Sequence, residues 1–417
     1  MNLQRFASLL LILTLLLNTT VTIAQDDSSP LLDALALVPN PAHGDLYFAD
    51  FTAVEQAYPA AQRPADWADY EAASGAAYDI WRRTFRNTML PGLEYFTLGD
   101  EIPAAMGIDF FEIDRALVDL APPQTVMYLF GDFDSTAIGA ALTARDFTQE
   151  SVTGEVELWC GSVGCENSEQ INVRERNPAD FFGGDLGRLW GRLIAPQFMI
   201  GANMFEDLQV VEQVVNGQQD SLASNPLYRT AVAALSDEGT LLQAFIPSDV
   251  GLAALSDLGA MLPPTLSPEQ RSAIIERLLD NDFEALPPYK LALFAQVVSE
   301  TEEIGSVVLL FAQPDAAETA ARIIPARIAA YQSLVTQRSF SDLLTERQVE
   351  VRAEVLPGEF YTTVRLDFAA PIPPAAVLAD ETARPFMYSL LLRAFAQRDL
   401  GWLSTFTRAD LEALAGN

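Results

Sequence analysis

The sequence predicts an α+β fold: two related β-α-β-β units of ferredoxin-like pattern with antiparallel sheets, plus a helical N-terminal region and a helical bridge. Three observations predict it. Strands and helices come in mixed order, with hairpins and few strict strand–helix–strand alternations. The run "QVEVRAEV" at 348–355, the turn "LPGE" and the run "FYTTVRLDF" at 360–368 form a hairpin pattern. Finally, "VMYLFGDFDSTAIGAA" and "VVLLFAQPDAAETAAR" align at an offset of 181 positions, matching Val126 with Val307, Leu129 with Leu310, Phe130 with Phe311, Asp134 with Asp315 and Ala140 with Ala321. Each runs from a strand into a capped helix, as an internal duplication would.

The first residues read as a leader. Arg5 is the sole charge before Asp26, an apolar run spans Phe6 to Leu17, and Thr22 and Ala24 stand at the small-residue positions of a cleavage site. We expect residues 1–24 to be a signal peptide removed near Gln25. Twelve apolar residues fall short of the roughly 20 that span a bilayer, and no later run reaches that length, so no integral membrane segment is expected after removal.

Residues 25–120 read as a mostly helical region. "SPLLDALALVP" predicts a helix and "DLYFADF" a short strand. Trp67, Tyr70, Ala77, Tyr78 and Trp81 fall at helical spacing, and "FFEIDRALVDL" reads as further helical turns before Pro122 and Pro123.

Residues 121–250 read as the first α+β unit. "TVMYLFGDFD" is a buried strand, followed by a helix capped by Asp134 or Ser135. "EVELWC" alternates as a strand with Val156, Leu158 and Cys160 on one face, and "INVRER" is its expected partner. "LIAPQFMIGA" reads as one strand, "MFEDLQVVEQVV" as a helix, "NPLYRTAVAAL" as a helix capped by Asn225, and "LLQAFIPSD" as a strand.

Residues 251–287 read as the bridge, with a capping box of Ser267 and Gln270. Residues 288–417 read as the second unit. Here "YKLALFAQVV" and "SVVLLFAQ" flank an acidic turn, and a helix capped by Asp315 is interrupted at Pro325. The hairpin follows, with Val349, Val351, Ala353 and Val355 inward, and "PFMYSLLLRAF" closes the unit as a helix.

The run "YLFGDFDSTAIGAALTARDFTQESVTGEVELW", with its strand–G-x-F-D–helix order and a following strand from Gly154 to Trp159, resembles segments of uncharacterised exported bacterial proteins built from repeated α+β units. The resemblance covers about Gly107 to Leu235. It implies a duplicated α+β architecture and export, and brings no activity, cofactor or catalytic residue with it.

Composition narrows the partners. The chain carries 25 Lys+Arg against 57 Asp+Glu, a net charge of −32, and loses Arg5 with the leader. Such a field repels phosphate backbones and anionic lipid, so no nucleic-acid partner is expected. Half of the residues are hydrophobic, enough to build real cores.

Cys160 and Cys165 are the two cysteines. A structural zinc site needs about four ligands, and His43 is the one histidine. Four residues separate the cysteines, whereas thioredoxin-like redox motifs have two. In an oxidising compartment the pair is expected to form a disulfide.

Few motifs carry chemistry. Histidine-based triads would have to use His43, in "NPAHGDLY", and no serine sits in a nucleophile elbow. Lys290 starts a strand, where a buried stem and an exposed ammonium are expected. Asp132 and Asp134 in "GDFD", and Asp280, Asp282 and Glu284 in "DNDFE", are candidates for weak calcium binding, although neither run completes an EF-hand pattern. "GGDLG" at 183–187 matches no phosphate-cradling loop. No catalytic residue and no further cofactor is assigned. The chain reads as an exported, non-enzymatic binding or scaffolding protein with an extracytoplasmic protein or glycan partner. The alternative is a carboxylate-dependent hydrolase acting on extracellular glycan or peptide.

Overall fold

The computed structural model describes residues 29–88, 90–93, 96–235, 238–249, 251–252, 267–280, 284–333, 335–380 and 386–415. The leader and Asp282 lie outside these residues. Twelve strands form one sheet, in the order β11-β12-β10-β9-β8-β1-β2-β3-β7-β6-β5-β4, and every neighbouring pair is antiparallel.

Helix α1 (Pro30–Leu35) precedes β1 (Asp45–Asp50), and α2 (Ala53–Ala57), α3 (Trp67–Ala72), α4 (Ala76–Arg86) and α5 (Ile102–Met106) follow. The hairpin β2 (Ile113–Ala121) and β3 (Gln124–Gly131) leads into α6 (Ser135–Ala144). The chain then returns through β4 (Thr148–Thr153), β5 (Val156–Cys160), β6 (Gly191–Ala195) and β7 (Phe198–Ala202). Helices α7 (Phe205–Val215) and α8 (Pro226–Ala233) connect to β8 (Thr240–Ile246), and α9 (Pro268–Asp280) follows. The last part comprises β9 (Leu291–Val298), β10 (Glu302–Phe311), α10 (Pro314–Ala330), α11 (Phe340–Glu346), β11 (Glu350–Pro357), β12 (Thr362–Pro371), α12 (Ala375–Leu378), α13 (Met387–Ala396) and α14 (Arg408–Ala415).

The fold is α+β with an antiparallel sheet, as expected, but the sheet is single where two were expected. Strands β1 and β8 pair antiparallel at its centre, Leu46 opposite Ile246, and join the two halves. The strand order is symmetrical about that pair for the first three neighbours on each side, β2-β3-β7 and β9-β10-β12, beyond which three strands follow on one side and one on the other. On one side β3 leads through α6 to a return strand β7 lying beside it; on the other, β10 leads through α10 to β12 beside it. Along the chain β3, α6, β4 and β5 keep the β-α-β-β order, as do β10, α10, β11 and β12 with α11 interposed. Ferredoxin-like units are nevertheless not established, since β4, β5 and β6 intervene between α6 and β7, the strand beside β3.

Helices cover both faces. Helices α1, α7 and α8 pack on one face through Leu31, Leu35, Leu208, Val211 and Val232. The opposite face is covered over β1–β7 by α2–α6 with Trp81, Phe85 and Ile138, and over β9–β12 by α10, α11 and α13 with Ile324, Leu344 and Leu391. Strands buried on both faces read as continuous apolar runs: all eight residues of β9 are buried.

Local chemistry places several elements where the sequence put them. Asp134 caps α6 by accepting from the Thr136 N–H at 2.9 Å, and Asn225 caps α8 from the Leu227 N–H at 3.0 Å. Ser267 and Gln270 form the reciprocal capping box, at 2.9 and 3.3 Å. Trp81 and Phe85 stack in the core 5.2 Å apart.

Four expectations are corrected. "FFEIDRALVDL" is strand β2, entered by a single 3-10 turn at Phe110–Glu112. Its two faces meet different cores, so the tertiary pairing with β1 and β3 overrides its helical spacing. "INVRER" holds a 3-10 turn at Val173–Glu175, and β5 pairs instead with β4 and β6. "LIAPQFMIGA" is a hairpin, not one strand, because Pro196 sits at its turn and the run breaks into β6 and β7. Gln313 rather than Asp315 caps α10, with Pro314 at the first position and Asp315 in the first turn; Pro325 lies inside this helix.

Candidate functional site

Two places concentrate polar chemistry. The first surrounds His43, just ahead of β1. Its backbone N–H donates to Asp119 Oδ2 at 3.0 Å, and the Gly44 N–H donates to Asp119 Oδ1 at 2.7 Å. Its Nε2 lies 3.6 Å from Asp207 Oδ1 in the first turn of α7. The Gln124 amide donates to the same oxygen at 3.4 Å. Tyr128, fully buried on β3, adds a phenol that feels both carboxylates.

The electrostatics follow from burial. Asp119 is held above the usual carboxylate range by burial, partly offset by the two backbone N–H donors and His43. Asp207 is likewise raised by burial, offset by His43. The Tyr128 phenol is pushed well up by burial and by the two acids. Asp119 is 1% exposed and Asp207 4%, so the cluster leaves no room for a substrate.

The second place is an open cleft of about 1180 Å³ along one end of the sheet. Its walls are α1 with the exposed face of α8, and the tip of the β11–β12 hairpin; the ends of β1, β2 and β8 line it as well. The hairpin tip meets α8 where Gly358 faces Thr230; a Cβ at Gly358 would stand 3.1 Å from the threonine methyl and 2.6 Å from the backbone oxygen of Tyr361, and the second contact requires glycine. Phe360 is 60% exposed at this tip. Among the described residues, the side chains of Arg229 and Gln56 have no hydrogen-bond or ion-pair partner.

Two of the three acids of the cleft are engaged; the third, Glu359 at the hairpin tip, has no hydrogen-bond or ion-pair partner among the described residues. Asp50 Oδ1 accepts from the Thr52 N–H, the Thr52 hydroxyl and the Ala53 N–H, at 2.7 to 3.0 Å, and so caps the entry to α2. Burial raises its carboxyl above the usual range despite these donors. Asp114 pairs with Arg63 at 3.1 Å. Arg365 binds Asp367, Glu354, Glu238 and the carbonyl of Ala234.

The residues singled out in the sequence do not converge. Cys160 and Cys165 are bonded to each other, with Cα atoms 4.9 Å apart. Lys290 is exposed at the start of β9. Asp134 spends an oxygen on its cap, Asp132 is exposed, and Glu284 binds Arg322 through both oxygens. Asp282 and the Asp280 side chain lie outside the described residues. Among the described residues no group of three or more His, Cys, Asp or Glu could hold a metal ion, and no helix is long and apolar enough to cross a membrane.

Sequence reasoning noticed His43 but missed its partners. Asp119 and Asp207 are two acids among 57, and nothing near them in the chain marks them out. The cleft is drawn from five separate segments and has no sequence signature at all.

No protein-family model matches the chain, and no curated protein does. Among solved structures it is similar to three crystal forms of TP0453. Crystal form I shares 8% identity at a TM-score of 0.33, covering 89% of this chain and 99% of that one. Form III shares 9% at 0.30, covering 85% and 98%, and form IV 11% at 0.32, covering 84% and 98%. Likeness this low establishes neither a shared fold nor a shared activity.

Proposed function

We propose that this is an exported, non-enzymatic binding protein whose open cleft takes an elongated polar ligand, an extracytoplasmic glycan first. The cleft carries the reading: an exposed aromatic, Phe360, lines it together with Arg229 and Gln56, whose side chains have no partner among the described residues. Sugars are recognised by that combination, an apolar ring for the pyranose face and polar groups for its hydroxyls. Binding is favoured over hydrolysis because Asp50 and Asp114 are tied to a cap and to Arg63, which leaves Glu359 without a second unengaged acid among the described lining residues, where glycoside hydrolysis uses a pair. Export is supported by the leader-like first 24 residues and by the disulfide.

Thermal-shift and calorimetric titration with neutral and uronic oligosaccharides, and with extended peptides, tests the reading. A glycan that binds wild type should lose roughly five- to thirtyfold in affinity with Phe360→Ala or Arg229→Ala, since a stacked ring or a charged hydrogen bond is worth about 1–2 kcal/mol. Peptide binding alone would replace the glycan by a protein partner. Unchanged affinity in both variants would remove the cleft from the reading.

Three further parts belong to the proposal. The symmetrical strand order supports descent of the two halves from one duplicated unit. Units divided at 120/121, 250/251 and 287/288 would be revealed by limited proteolysis. Weak calcium binding at Asp132 and Asp134, or at Asp280, Asp282 and Glu284, would raise the Tm in millimolar calcium, and Asp132→Asn or Asp282→Asn would abolish the rise at its own loop.

A further inference from the structure

We propose that His43, Asp119 and Asp207 form a proton-responsive clasp that fastens the segment 36–44, and with it helix α1, to the sheet and to α7. The observation is geometric. Segment 36–44 links α1 to β1, and its far end is held by Asp119 through the two N–H groups of His43 and Gly44. The imidazole reaches α7 through the 3.6 Å contact with Asp207, whose side chain is 5% exposed. Three polar atoms there have no hydrogen-bond partner while buried: His43 Nε2, Asp207 Oδ2 and Tyr128 Oη. Buried polar groups are normally satisfied, so such a group of three marks a site whose bonding is incomplete in one protonation state.

The charge balance gives the direction. Asp119 comes from β2, Asp207 and Glu206 from α7, Tyr128 from β3, Tyr228 from α8, and Asp249 from the end of β8; Asp45, at the start of β1, is already bound to Ser248. The charged groups that interact with the imidazole among the described residues, Asp119 and Asp207, are both acids. A proton added to the imidazole makes the contact with Asp207 an ion pair. A proton added to either carboxylate removes the repulsion between Asp119 and Asp207 and supplies an O–H donor. Protonating a carboxylate weakens the bonds its oxygens accept, but burial outweighs this and makes the folded acids hold a proton more strongly than the unfolded chain does, so proton uptake favours the folded, clasped state.

The clasp also bears on the cleft, a part that rests on the binding reading above. Ser29, Pro30 and Leu32 line the cleft, and the clasp lies at the other end of the linker that follows them. Acidification should steady that wall.

Hydrogen–deuterium exchange of the full chain without ligand tests the clasp independently of any binding result. After correction for intrinsic rates, amides of 36–44 should exchange several-fold more slowly near pH 5 than near pH 7.5. Asp207→Asn, a neutral isostere of the protonated acid, should be slow at both pH values. His43→Gln should exchange faster at both and lose most of the response. Equal wild-type exchange at the two pH values would overturn the proposal, as would a full response retained by Asp207→Asn. Should that variant not fold, a wild-type response in His43→Gln would overturn it equally. Loss of glycan binding with the exchange pattern intact would sink the cleft reading and leave the clasp standing.

Discussion

The hydroxyl of Tyr58 donates a 2.7 Å hydrogen bond to Glu303 Oε1, across 245 positions of sequence. It ties the region after α2 to β10, beneath the Phe386 ring that lies near Tyr58. Burial raises the Glu303 carboxyl above the usual range; the Tyr58 hydroxyl and Arg83 partly offset this. Tyr58→Phe should therefore cost about 1–3 kcal/mol in urea unfolding, the penalty for leaving a buried acceptor unsatisfied. The loss should be larger near pH 8 than near pH 5. Removing the donor raises the Glu303 pKa further, and a raised carboxyl contributes most below its unfolded value and least above its folded one. A loss equal at both pH values would show that Glu303 stays neutral or finds another donor.

Arg192 has no exposed surface and pairs with Asp180 at 2.5 Å, while Arg145 reaches the same oxygen at 2.8 Å. Rings of Phe147 and Phe182 lie 4.6 and 5.1 Å from its guanidinium. Burial lowers the Arg192 pKa, and Asp180 works against that. Asp180→Ala leaves two arginines facing each other in the core and should destabilise by about 3–5 kcal/mol in chemical denaturation. The double change Asp180→Leu with Arg192→Met should recover most of that loss.

Asp50, Asp119, Asp207 and Glu303 are all held above the usual carboxylate range by burial. Each binds protons more tightly folded than unfolded, so stability is gained as pH falls through the folded values and is complete below the unfolded value near about 4. The exposed acids shifted the other way, Glu269, Glu284 and Asp410, are fully solvated and weigh little. The Tm should rise as pH goes from about 8 to about 5, helped by relief of the −32 charge. A Tm that is flat or falls over that range would contradict this.

Reducing the Cys160–Cys165 bond should lower stability by about 2 kcal/mol, since it closes a short loop. The far-ultraviolet circular dichroism should be unchanged at room temperature. Unfolding on reduction would show that the bond organises more than its loop.

The caps of α6 and α8, the capping box of α9, the β11–β12 hairpin and the disulfide were legible because their partners lie within a few residues of one another. Strand β2 was not, and its residues say why. Ile113, Ala116, Leu117 and Leu120 fall at the positions of a helical face, yet Ala116 and Val118 turn to one core and Leu117 to the other. A strand buried on both faces loses the alternation that identifies it.

Local sequence by itself determined the α+β class, the acidic character, the bonded cysteine pair and most helix starts, because propensity, capping and spacing act over single turns of chain. Only the tertiary structure decided that one sheet joins the halves through β1 and β8, and that His43 meets Asp119 and Asp207. Those contacts span 75 to about 200 positions, and burial, not local pattern, selects which of many equivalent strands and acids are brought together.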